Sequence, residues 1–401
     1  MQVIMEYIIR NQVIEKIRPY IGNSLIKVLV GQRRVGKSYL LYQIMDELKK
    51  SSENQIIYIN KEDFEFDSIK SYDDLIAHVN KELLPNKKVA LFIDEIQEIK
   101  SFEKALRHFQ TKNTFDIYCT GSNANMLAGE LATLLAGRYI QIPVYSLSYR
   151  EFLSFHEQAD SSESLLNYFK YGGMPHLINL RNNEAVYYEY LQNVFSSIVL
   201  KDIIARYNIR NVNFLQDLIR FLANNIGSIV SAKRISDYLK SQQLSVQPRS
   251  VQEYLYYLES VLFIKRVKRT EIEGRKIFEI GDKFYFEDLG MRNAIIPFQM
   301  KDINKILENA VYHHLRVNGY NVFVGKDGVK EIDFVAEKGN KTFYIQVAYI
   351  IADEITHKRE FGNLLAINDN HTKMVISMDE MAEGNFKGIE HWHIRRFLME
   401  F

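Results

Sequence analysis

Five short apolar runs near the start of the chain alternate with segments that carry apolar residues at helical spacing. The runs span 25–30, 55–60, 88–95, 115–120 and 139–143, and the third ends in two acids. Short apolar runs that alternate with helices are typical of the buried strands of a parallel sheet. We therefore predict an α/β fold with a doubly wound parallel sheet, in which ligands bind at the carboxyl ends of the strands.

The second half of the chain follows two other patterns. In the first, three helical segments precede a basic hairpin, and this order predicts a winged helix-turn-helix. The helices are expected at 214–222, 231–239 and 247–255, and the hairpin strands at 262–269 and 275–280. The second pattern predicts a mixed α/β domain, with a helix over 301–317 and strands over 321–325, 331–336 and 341–349.

Composition sets limits on the class of protein. A chain of 401 residues is too long for one compact core, and 47% apolar with 25% charged residues is typical of a soluble globular protein. The net charge of +1 means that contact with nucleic acid requires a local basic patch. A single cysteine, Cys119, excludes an intrachain disulfide and a cysteine-based metal site.

No stretch of the sequence has the length of a membrane span, and the first residues lack the pattern of a signal peptide. We therefore expect a cytoplasmic protein without a membrane partner. Many Ile, Lys, Asn, Tyr and Phe residues with only six prolines indicate a bacterial source with an AT-rich genome.

Residues 31–38, GQRRVGKS, have the spacing of a phosphate loop between a strand and a helix. The glycines allow backbone N–H groups to converge on a phosphate, while Lys37 supplies an ammonium group and Ser38 a hydroxyl ligand for Mg²⁺. We expect ATP or ADP to contact Gly31, Gln32, Arg33, Arg34, Val35, Gly36, Lys37, Ser38 and Tyr39. The alternative is a glycine turn with basic residues, which leaves the fit of both flanking elements unexplained.

Asp94 and Glu95 follow directly on the third apolar run. In this position Asp94 would hold Mg²⁺ through a water or through Ser38, and Glu95 would orient and deprotonate the water that attacks the γ-phosphate. Paired acids after a strand also occur in solvated turns, but the phosphate loop upstream favours the catalytic interpretation. The second acid predicts a hydrolase and not only a nucleotide-binding protein.

Two more polar residues are candidates for this site. Asn123 follows the fourth strand, where its side chain could bond the γ-phosphate or the water, although Gly-Ser-Asn is also ordinary turn and N-cap chemistry. Arg138 precedes the fifth strand and follows a helix predicted from Ala124 to Leu135. It is either an arginine finger presented to a neighbouring subunit's nucleotide or a cap of that helix's C-terminus.

The order of these motifs resembles that of an AAA-superfamily ATPase. The segments that carry the resemblance are the phosphate loop, FIDEIQ at 92–97, TGSN at 120–123 and GRY at 137–139. LSYREF at 147–152 and YGGMP at 171–175 resemble a prokaryotic branch of the superfamily that joins the ATPase to an uncharacterised C-terminal domain.

This resemblance implies a homo-oligomer that holds the nucleotide between its subunits, with the roles given above for Lys37, Ser38, Asp94, Glu95, Asn123 and Arg138. It also implies a helical lid, in which Gly172 and Gly173 stand where many relatives carry a sensing arginine. The expected domains are an AAA-type core at 1–145, the lid at 146–207, the winged helix at 208–287 and the C-terminal domain at 288–401.

The C-terminal domain resembles the restriction-endonuclease-like fold. Active members of that fold place a helix glutamate, a strand aspartate and an acid-x-lysine element around a divalent metal; Glu308 and Asp333 match the first two. The third element is Gln346-Val347-Ala348, in which Gln346 has no charge and Ala348 cannot assist a water. The lysines considered as replacements are Lys330, Lys341 and Lys358. We therefore expect Glu308, Asp333 and Gln346 to be vestigial and nuclease activity to be absent.

The predicted winged helix carries the residues that we expect to contact duplex DNA. These residues are Arg249, Lys265, Arg266, Lys268, Arg269 and Arg275. Arg249 would enter the major groove, and the others would bind phosphates from the wing. Alternatively, the module packs only against protein, and Tyr254, Tyr256 and Tyr257 are equally suited to that role.

The leading hypothesis is an Mg²⁺-dependent ATPase that is coupled to DNA. The rival hypothesis is a signalling or scaffolding switch whose ATP state controls a protein partner without contact to DNA. A third, an ATP-gated nuclease, is disfavoured by Ala348.

Overall fold

The computed structural model describes residues 7–50, 54–123, 135, 137–180, 183–272, 274, 281–328, 330–351, 354–380 and 384–401. The chain divides into two compact units. Unit 1 comprises 1–145 and 260–262, and unit 2 comprises 146–259 and 263–401.

Unit 1 is built on a five-stranded sheet in the order β2-β3-β4-β1-β5, with every pair parallel. Its strands are β1 Ile26–Val30, β2 Asn54–Asn60, β3 Lys88–Asp94, β4 Phe115–Gly121 and β5 Tyr139–Pro143. All five apolar runs are therefore strands, and the predicted α/β core with a parallel sheet is confirmed.

The helices of unit 1 cover the sheet with apolar side chains. They are Asn11–Ile17, Lys37–Lys49, Tyr72–Glu82 and Phe102–Gln110, with 3₁₀ turns at Arg18–Tyr20, Phe64–Phe66 and Ile96–Glu98. The third helix begins at a capping box, in which the Ser71 hydroxyl accepts from the Asp74 N–H and the Asp74 carboxylate accepts from the Ser71 N–H. Leu75 and Val79 of this helix are fully buried in the core of the unit.

Unit 2 contains a seven-stranded mixed sheet in the order β13-β14-β12-β11-β10-β9-β7 and a two-stranded sheet of β6 and β8. The strands are β6 Ile264–Val267, β7 Arg269–Glu271, β8 Lys283–Phe286, β9 Asn321–Asp327, β10 Lys330–Lys338, β11 Lys341–Val347, β12 Thr372–Ser377, β13 Gly384–Phe386 and β14 Ile389–His393.

The helices of unit 2 include those predicted for the lid and the winged helix. They are Tyr149–Phe155, Ser162–Tyr171, Glu184–Ser197, the π-helix Ile198–Ala205, Val212–Asn224, Ala232–Ser241, Pro248–Ser260, Leu289–Ile295, Ile303–Val317, Glu354–Leu365 and Ile394–Glu400, with 3₁₀ turns at Pro175–Asn179 and Met300–Asp302. Among the described residues, no helix combines the length and the apolar character that crossing a membrane requires.

The predicted basic hairpin differs from the observed strands. The run 262–269 is interrupted at Lys268, so that β6 pairs antiparallel with β8 whereas β7 pairs parallel with β9 of the large sheet. The break occurs because the Lys268 carbonyl accepts from the Val324 N–H, which brings the chain onto the edge of the second sheet. The expected partner strand, 275–280, lies outside the described residues, and the winged-helix assignment remains a prediction.

The glycine pair of the predicted lid has a packing role in unit 2. A Cβ on Gly172, where φ is +72°, would lie 2.3 Å from Oδ1 of Asp288, and one on Gly173 would lie 2.4 Å from the Leu147 carbonyl oxygen. The Gly173 N–H also donates to the Asp288 carboxylate at 2.7 Å. An arginine at either position would clash with the neighbouring backbone or with Asp288, which explains why glycine stands here.

Candidate functional site

The phosphate-loop sequence connects β1 to the helix Lys37–Lys49, and its two glycines are required by the backbone. Gly36 lies at the N-cap with φ of 91°, a left-handed conformation that favours glycine. A Cβ on Gly31 would approach the Val144 carbonyl oxygen to 2.2 Å. The loop can therefore follow this path only with glycine at both positions.

Lys37 is 4% exposed and lies at the centre of the loop. Its ammonium group donates to the carbonyls of Gly31 and Gln32, each at 3.0 Å, and lies 3.4 Å from Oε1 of Glu95. The carbonyls are neutral acceptors whose places phosphate oxygens can take. Lys37 and Glu95, the residue that follows β3, are thus brought together.

Asp94 ends β3 and is 2% exposed. Its carboxylate accepts hydrogen bonds from the hydroxyls of Ser38, Thr120 and Tyr58. Burial raises the pKa of Asp94 above its ordinary value, while the bonds from Ser38 and Thr120 act in the opposite direction. The two residues predicted to hold Mg²⁺, Ser38 and Asp94, are in direct contact.

Glu95 has a left-handed backbone, with φ of 53° and ψ of 53°, which costs a non-glycine residue conformational energy. Its N–H donates to Oγ1 of Thr120 at 2.9 Å, and its carboxylate accepts from Ser122 at 3.1 Å and from the Gln97 amide. Burial alone would raise the pKa of Glu95, but the charges of Lys37 and Arg33 outweigh it and lower the pKa to about 2. Glu95 is therefore an ionised carboxylate beside Lys37.

Other loop residues have distinct environments. Arg33 is 9% exposed and lies 2.8 Å from Glu62, whereas Arg34 and Tyr39 are exposed. The Val35 side chain is fully buried, so it belongs to the apolar core.

Gln32 provides a test of whether this site fits a ligand. Its side chain is 0% exposed, and neither amide atom has a hydrogen-bond partner among the described residues. An unpaired buried amide costs about 1–3 kcal/mol. A bound phosphate or its water would supply the missing partner, so the residues present fit a nucleotide with Mg²⁺ held by Ser38 and Asp94.

The remaining two predicted residues of this site are Asn123, which is buried, and Arg138, which is exposed. Asn123 is 1% exposed and lies two residues after β4. Arg138 is exposed, and its backbone carbonyl accepts from the Ile26 N–H at 3.0 Å. Most of the helix predicted before Arg138, at 124–134, lies outside the described residues, so the roles of Asn123 and Arg138 remain predictions.

Four contributors to the site were not predicted as site residues: Tyr58, Gln97, Thr120 and Ser122, of which the last three lie within the segments FIDEIQ and TGSN. Thr120 reaches Asp94 because β3 and β4 are neighbours, with Ile93 opposite Cys119. Tyr58 reaches Asp94 because β2 pairs on the other side of β3. The strand order, which the apolar pattern does not reveal, determines both contacts.

A second cluster of charges lies in unit 2, beside a cavity of about 510 Å³. Lys283 of β8 is 2% exposed, and its ammonium group lies 2.7 Å from Glu308, 2.8 Å from Glu331 and 3.3 Å from Asp333. Glu308 also accepts a bond from the Tyr285 hydroxyl. Glu308 and Asp333, which were predicted to lie together, do so, but around a lysine from another part of the chain.

The lysines considered as replacements for the missing catalytic one are elsewhere. Lys330 and Lys341 are exposed at strand ends, and Lys358 is 79% exposed beside Glu354. The lysine that lies among the acids is Lys283, 50 residues before Asp333, which the sequence did not indicate. Gln346 is close to Asp333, since its Oε1 accepts from the Asp333 N–H at 2.7 Å.

Burial raises the pKa of Glu308 to about 7, although Lys283 opposes this shift. Burial also disfavours the charged form of Lys283, but the three carboxylates outweigh it and raise the lysine's pKa. The cluster is therefore a compact network in which one ammonium group neutralises part of an acidic surplus.

The residues predicted to bind DNA differ in their ion pairs and in their exposure to solvent. Lys265 lies 3.9 Å from Glu287, and Arg266 lies 2.6 Å from Glu259 and 3.8 Å from Asp282. Arg249 and Lys268 are exposed, Arg269 is half-buried, and Arg275 lies outside the described residues. Of the predicted set, Arg249 and Lys268 are thus the best placed to meet a phosphate.

Sequence profiles of two families match the chain. An AAA domain matches residues 23–153, and a domain of unknown function matches residues 162–302. The AAA domain covers the whole of the phosphate-loop site and supports a P-loop ATPase of the AAA type.

Two proteins of known sequence are similar over most of the chain. An uncharacterized protein of Haemophilus influenzae is 35% identical over 401 residues, which are 98% of this chain and 98% of that protein. The uncharacterized protein MJ1544 of Methanocaldococcus jannaschii is 31% identical over 350 residues, which are 84% of this chain and 77% of that protein.

Among solved structures, the Walker-type ATPase PABY2304 of Pyrococcus abyssi is similar in fold, with a TM-score of 0.54. The similarity covers 72% of this chain and 96% of that one, at 15% sequence identity. At this level of identity the match supports the fold alone.

Proposed function

Because the chain belongs to the same family as the Haemophilus influenzae protein and MJ1544 and carries an AAA domain, we propose that it binds ATP with Mg²⁺ and hydrolyses it to ADP and phosphate. The observation that carries the proposal is the contact of Lys37 with Glu95 beside a Ser38–Asp94 pair, at the carboxyl ends of parallel strands. Each of these side chains is a type that phosphoryl transfer requires.

Different residues of the chain would bind the phosphates and the metal ion. Backbone N–H groups of the loop and the ammonium group of Lys37 would hold the phosphates, with Lys37 leaving the carbonyls of Gly31 and Gln32. Ser38 and Asp94 would hold the metal ion. When bound, Mg²⁺ would supply positive charge to neutralise that of the phosphates.

Glu95 would accept the proton of the attacking water. A carboxylate whose pKa is about 2 is a weak base, and the attraction of Lys37 contributes to that low value. When Lys37 turns toward the phosphates, this attraction is shared with them, so the pKa of Glu95 rises toward its ordinary value. Arrival of the substrate would thus make the base stronger.

The test of this proposal is steady-state ATP hydrolysis by the wild-type chain and by Glu95→Gln, with and without Mg²⁺. We expect turnover that needs Mg²⁺ and is lost in Glu95→Gln. The control is Glu98→Gln, which changes an exposed acid three residues away. Equal turnover by the wild type and Glu95→Gln would refute the role of the base.

Arg138 and Asn123 extend the proposal to an assembly. Arg138 is exposed, as an arginine finger offered to a neighbouring subunit must be, and Asn123 lies two residues after Gly121, whose carbonyl accepts from the Gly31 N–H of the loop. We expect ATP turnover per subunit to fall on dilution. Mixing Arg138→Ala with Lys37→Ala subunits should restore activity if Arg138 acts between subunits, and failure of this complementation would place Arg138 within its own subunit.

We further propose that the ATPase is coupled to duplex DNA through Arg249 and Lys268, the exposed members of the predicted basic set. Each phosphate contact contributes about 0.9 to the slope of log affinity against log salt. Arg249→Glu with Lys268→Glu should therefore weaken duplex binding and flatten its salt dependence. Lys301→Glu, an exposed lysine outside the predicted winged helix, is the control.

The rival proposal is an ATP-dependent switch that acts on a protein. It is favoured by the ion pairs of Lys265 and Arg266 with acids of the same unit, since these pairs reduce the charge available to DNA, and by the exposure of Tyr238 and Tyr256. ATP turnover that depends on Glu95 but does not change with duplex or single-stranded DNA would support the switch. Stimulation by DNA would support the coupled ATPase.

A further inference from the structure

Arg10 lies before the helix Asn11–Ile17, far from the phosphate loop in sequence, and is 4% exposed. Its Nη1 donates to the carbonyl of Val35, inside the loop, at 3.0 Å. The same nitrogen donates to the carbonyl of Tyr145 at 3.1 Å. One buried guanidinium therefore joins the loop to the segment that follows β5.

The segment around Arg10 is itself attached to the helix that follows the loop. The Arg10 N–H donates to Oε1 of Gln43 at 3.2 Å, and Nε2 of Gln43 donates to the Ile8 carbonyl at 3.1 Å. Gln43 is 7% exposed, so these bonds are shielded from water. The backbone of residues 8–10 is therefore attached to the helix by two bonds, one from Arg10 and one to Ile8, in addition to the side-chain bonds of Arg10.

The Tyr145 segment also contacts the loop from its other side. The Val144 N–H donates to the Val30 carbonyl at 2.7 Å, and a Cβ on Gly31 would meet the Val144 carbonyl. The arginine side chain therefore connects Val35 to this segment, in which Val144 borders Gly31. The N–H groups that converge on a phosphate belong to the residues between these two fixed points.

We propose that Arg10 is a positioning residue for the nucleotide: it holds the phosphate loop in its binding conformation and places a positive charge behind it. The inference rests on the proposed ATP binding. Both carbonyls accept from one nitrogen, Nη1, and a lysine at position 10 would keep the positive charge, but its shorter side chain would not bring the ammonium group to the place of Nη1. The charge attracts the phosphates without touching them.

The experiment measures the dissociation constant of a fluorescent ATP analogue for the full-length wild type, Arg10→Met, Arg10→Lys and Arg18→Met. Arg18 belongs to the same N-terminal segment but is half-exposed and pairs with Glu15 and Glu47, so it is the matched control. We expect affinity to fall about tenfold in Arg10→Met and about threefold in Arg10→Lys, and to be unchanged in Arg18→Met.

Steady-state kinetics distinguish positioning from a loss of folded protein. A positioning role raises KM while kcat for the folded enzyme changes less than twofold, whereas partial unfolding lowers apparent kcat and leaves KM unchanged. A rise in KM for Arg10→Lys, a variant that keeps the charge, would support the inference even if Arg10→Met does not fold.

The outcomes separate this inference from the proposed function. If the wild type binds no adenine nucleotide, the proposed function fails. If the wild type binds and both foldable Arg10 variants bind equally well with unchanged KM, only the role of Arg10 is overturned.

Discussion

Two buried lysines, Lys37 in unit 1 and Lys283 in unit 2, have almost the same exposure but opposite kinds of partner. Lys37 bonds two neutral carbonyls and faces one carboxylate, whereas Lys283 faces three carboxylates. An ammonium group has three N–H donors, and each of the two lysines has three acceptors around it. Lys37 can exchange its carbonyls for phosphate oxygens, while removal of Lys283 would leave three acids without their shared cation. The burial of a lysine therefore does not show whether its ammonium group is available to bind a substrate or serves as a structural counter-ion.

The largest expected effect is the loss of ATP turnover when Lys37 is replaced. Lys37→Met should lower ATP turnover at least about 100-fold, because the charge on the transferring phosphate loses its fixed donor. The urea unfolding midpoint should fall less than in Lys283→Met, because Glu95 keeps the charge of Arg33 and the bonds from Gln97 and Ser122. The control is Lys49→Met, an exposed lysine at the end of the same helix. ATP turnover by Lys37→Met within twofold of wild type would contradict the assignment of Lys37 to the phosphates.

The complementary change is Lys283→Met, which should lower the free energy of unfolding by about 2 kcal/mol, less than the ~3–5 kcal/mol of a fully buried pair because Glu331 is 38% exposed. Urea denaturation measures the effect, with Lys341→Met, an exposed lysine of the seven-stranded sheet in the same unit, as the control. ATP turnover per folded molecule should be retained. Unchanged stability would mean that Lys283 is not the cation on which the acids depend.

Two glutamates near these lysines should give stability opposite dependences on pH. The pKa of Glu308 is raised from 4.5 to about 7, chiefly by burial, so the folded chain holds a proton that the unfolded chain has lost between these values. Its contribution to stability therefore falls as pH rises from 4.5 to 7. Glu308→Gln should flatten this slope, by on the order of 3 kcal/mol between pH 4.5 and 7.

For Glu95 the sign is reversed. Its pKa is lowered from 4.5 to about 2 because Lys37 and Arg33 outweigh burial, so its contribution is present above pH 4.5 and is lost as pH falls toward 2. Urea unfolding at pH 5, 6, 7 and 8 should thus separate Glu308→Gln from wild type but leave the profile of Glu95→Gln parallel to it. Glu354→Gln, which changes an acid that is 91% exposed, serves as the control.

The smallest effect concerns the hydroxyl groups around Asp94. Tyr58→Phe removes a 3.3 Å bond to Asp94, and we expect the Mg²⁺ concentration for half-maximal turnover to rise less than tenfold. Tyr42→Phe is the matched control, because Tyr42 bonds the Tyr58 hydroxyl at 3.1 Å. An equal change in both variants would indicate that the Tyr58 bond to Asp94 has no separate role.

The sequence predicted features that depend on neighbours along the chain. The five strands and the phosphate loop follow from apolar runs and glycine spacing, and Lys37, Asp94 and Glu95 follow from their places in those runs. Lys283 could not be predicted in this way, because it meets Asp333 across 50 residues and two sheets. The division of the basic run at Lys268 also depends on a partner, Val324, that lies far along the chain.

The Thr120 hydroxyl has a consequence for engineering this chain. It donates to Asp94 and accepts from the Glu95 N–H, so one oxygen atom orients both acids. Replacement of Thr120 would disturb the proposed metal ligand and the proposed base together, and the two defects could not be assigned separately. A variant that traps ATP without turning it over is therefore best made at the carboxylate of Glu95, with the threonine that aligns it left intact.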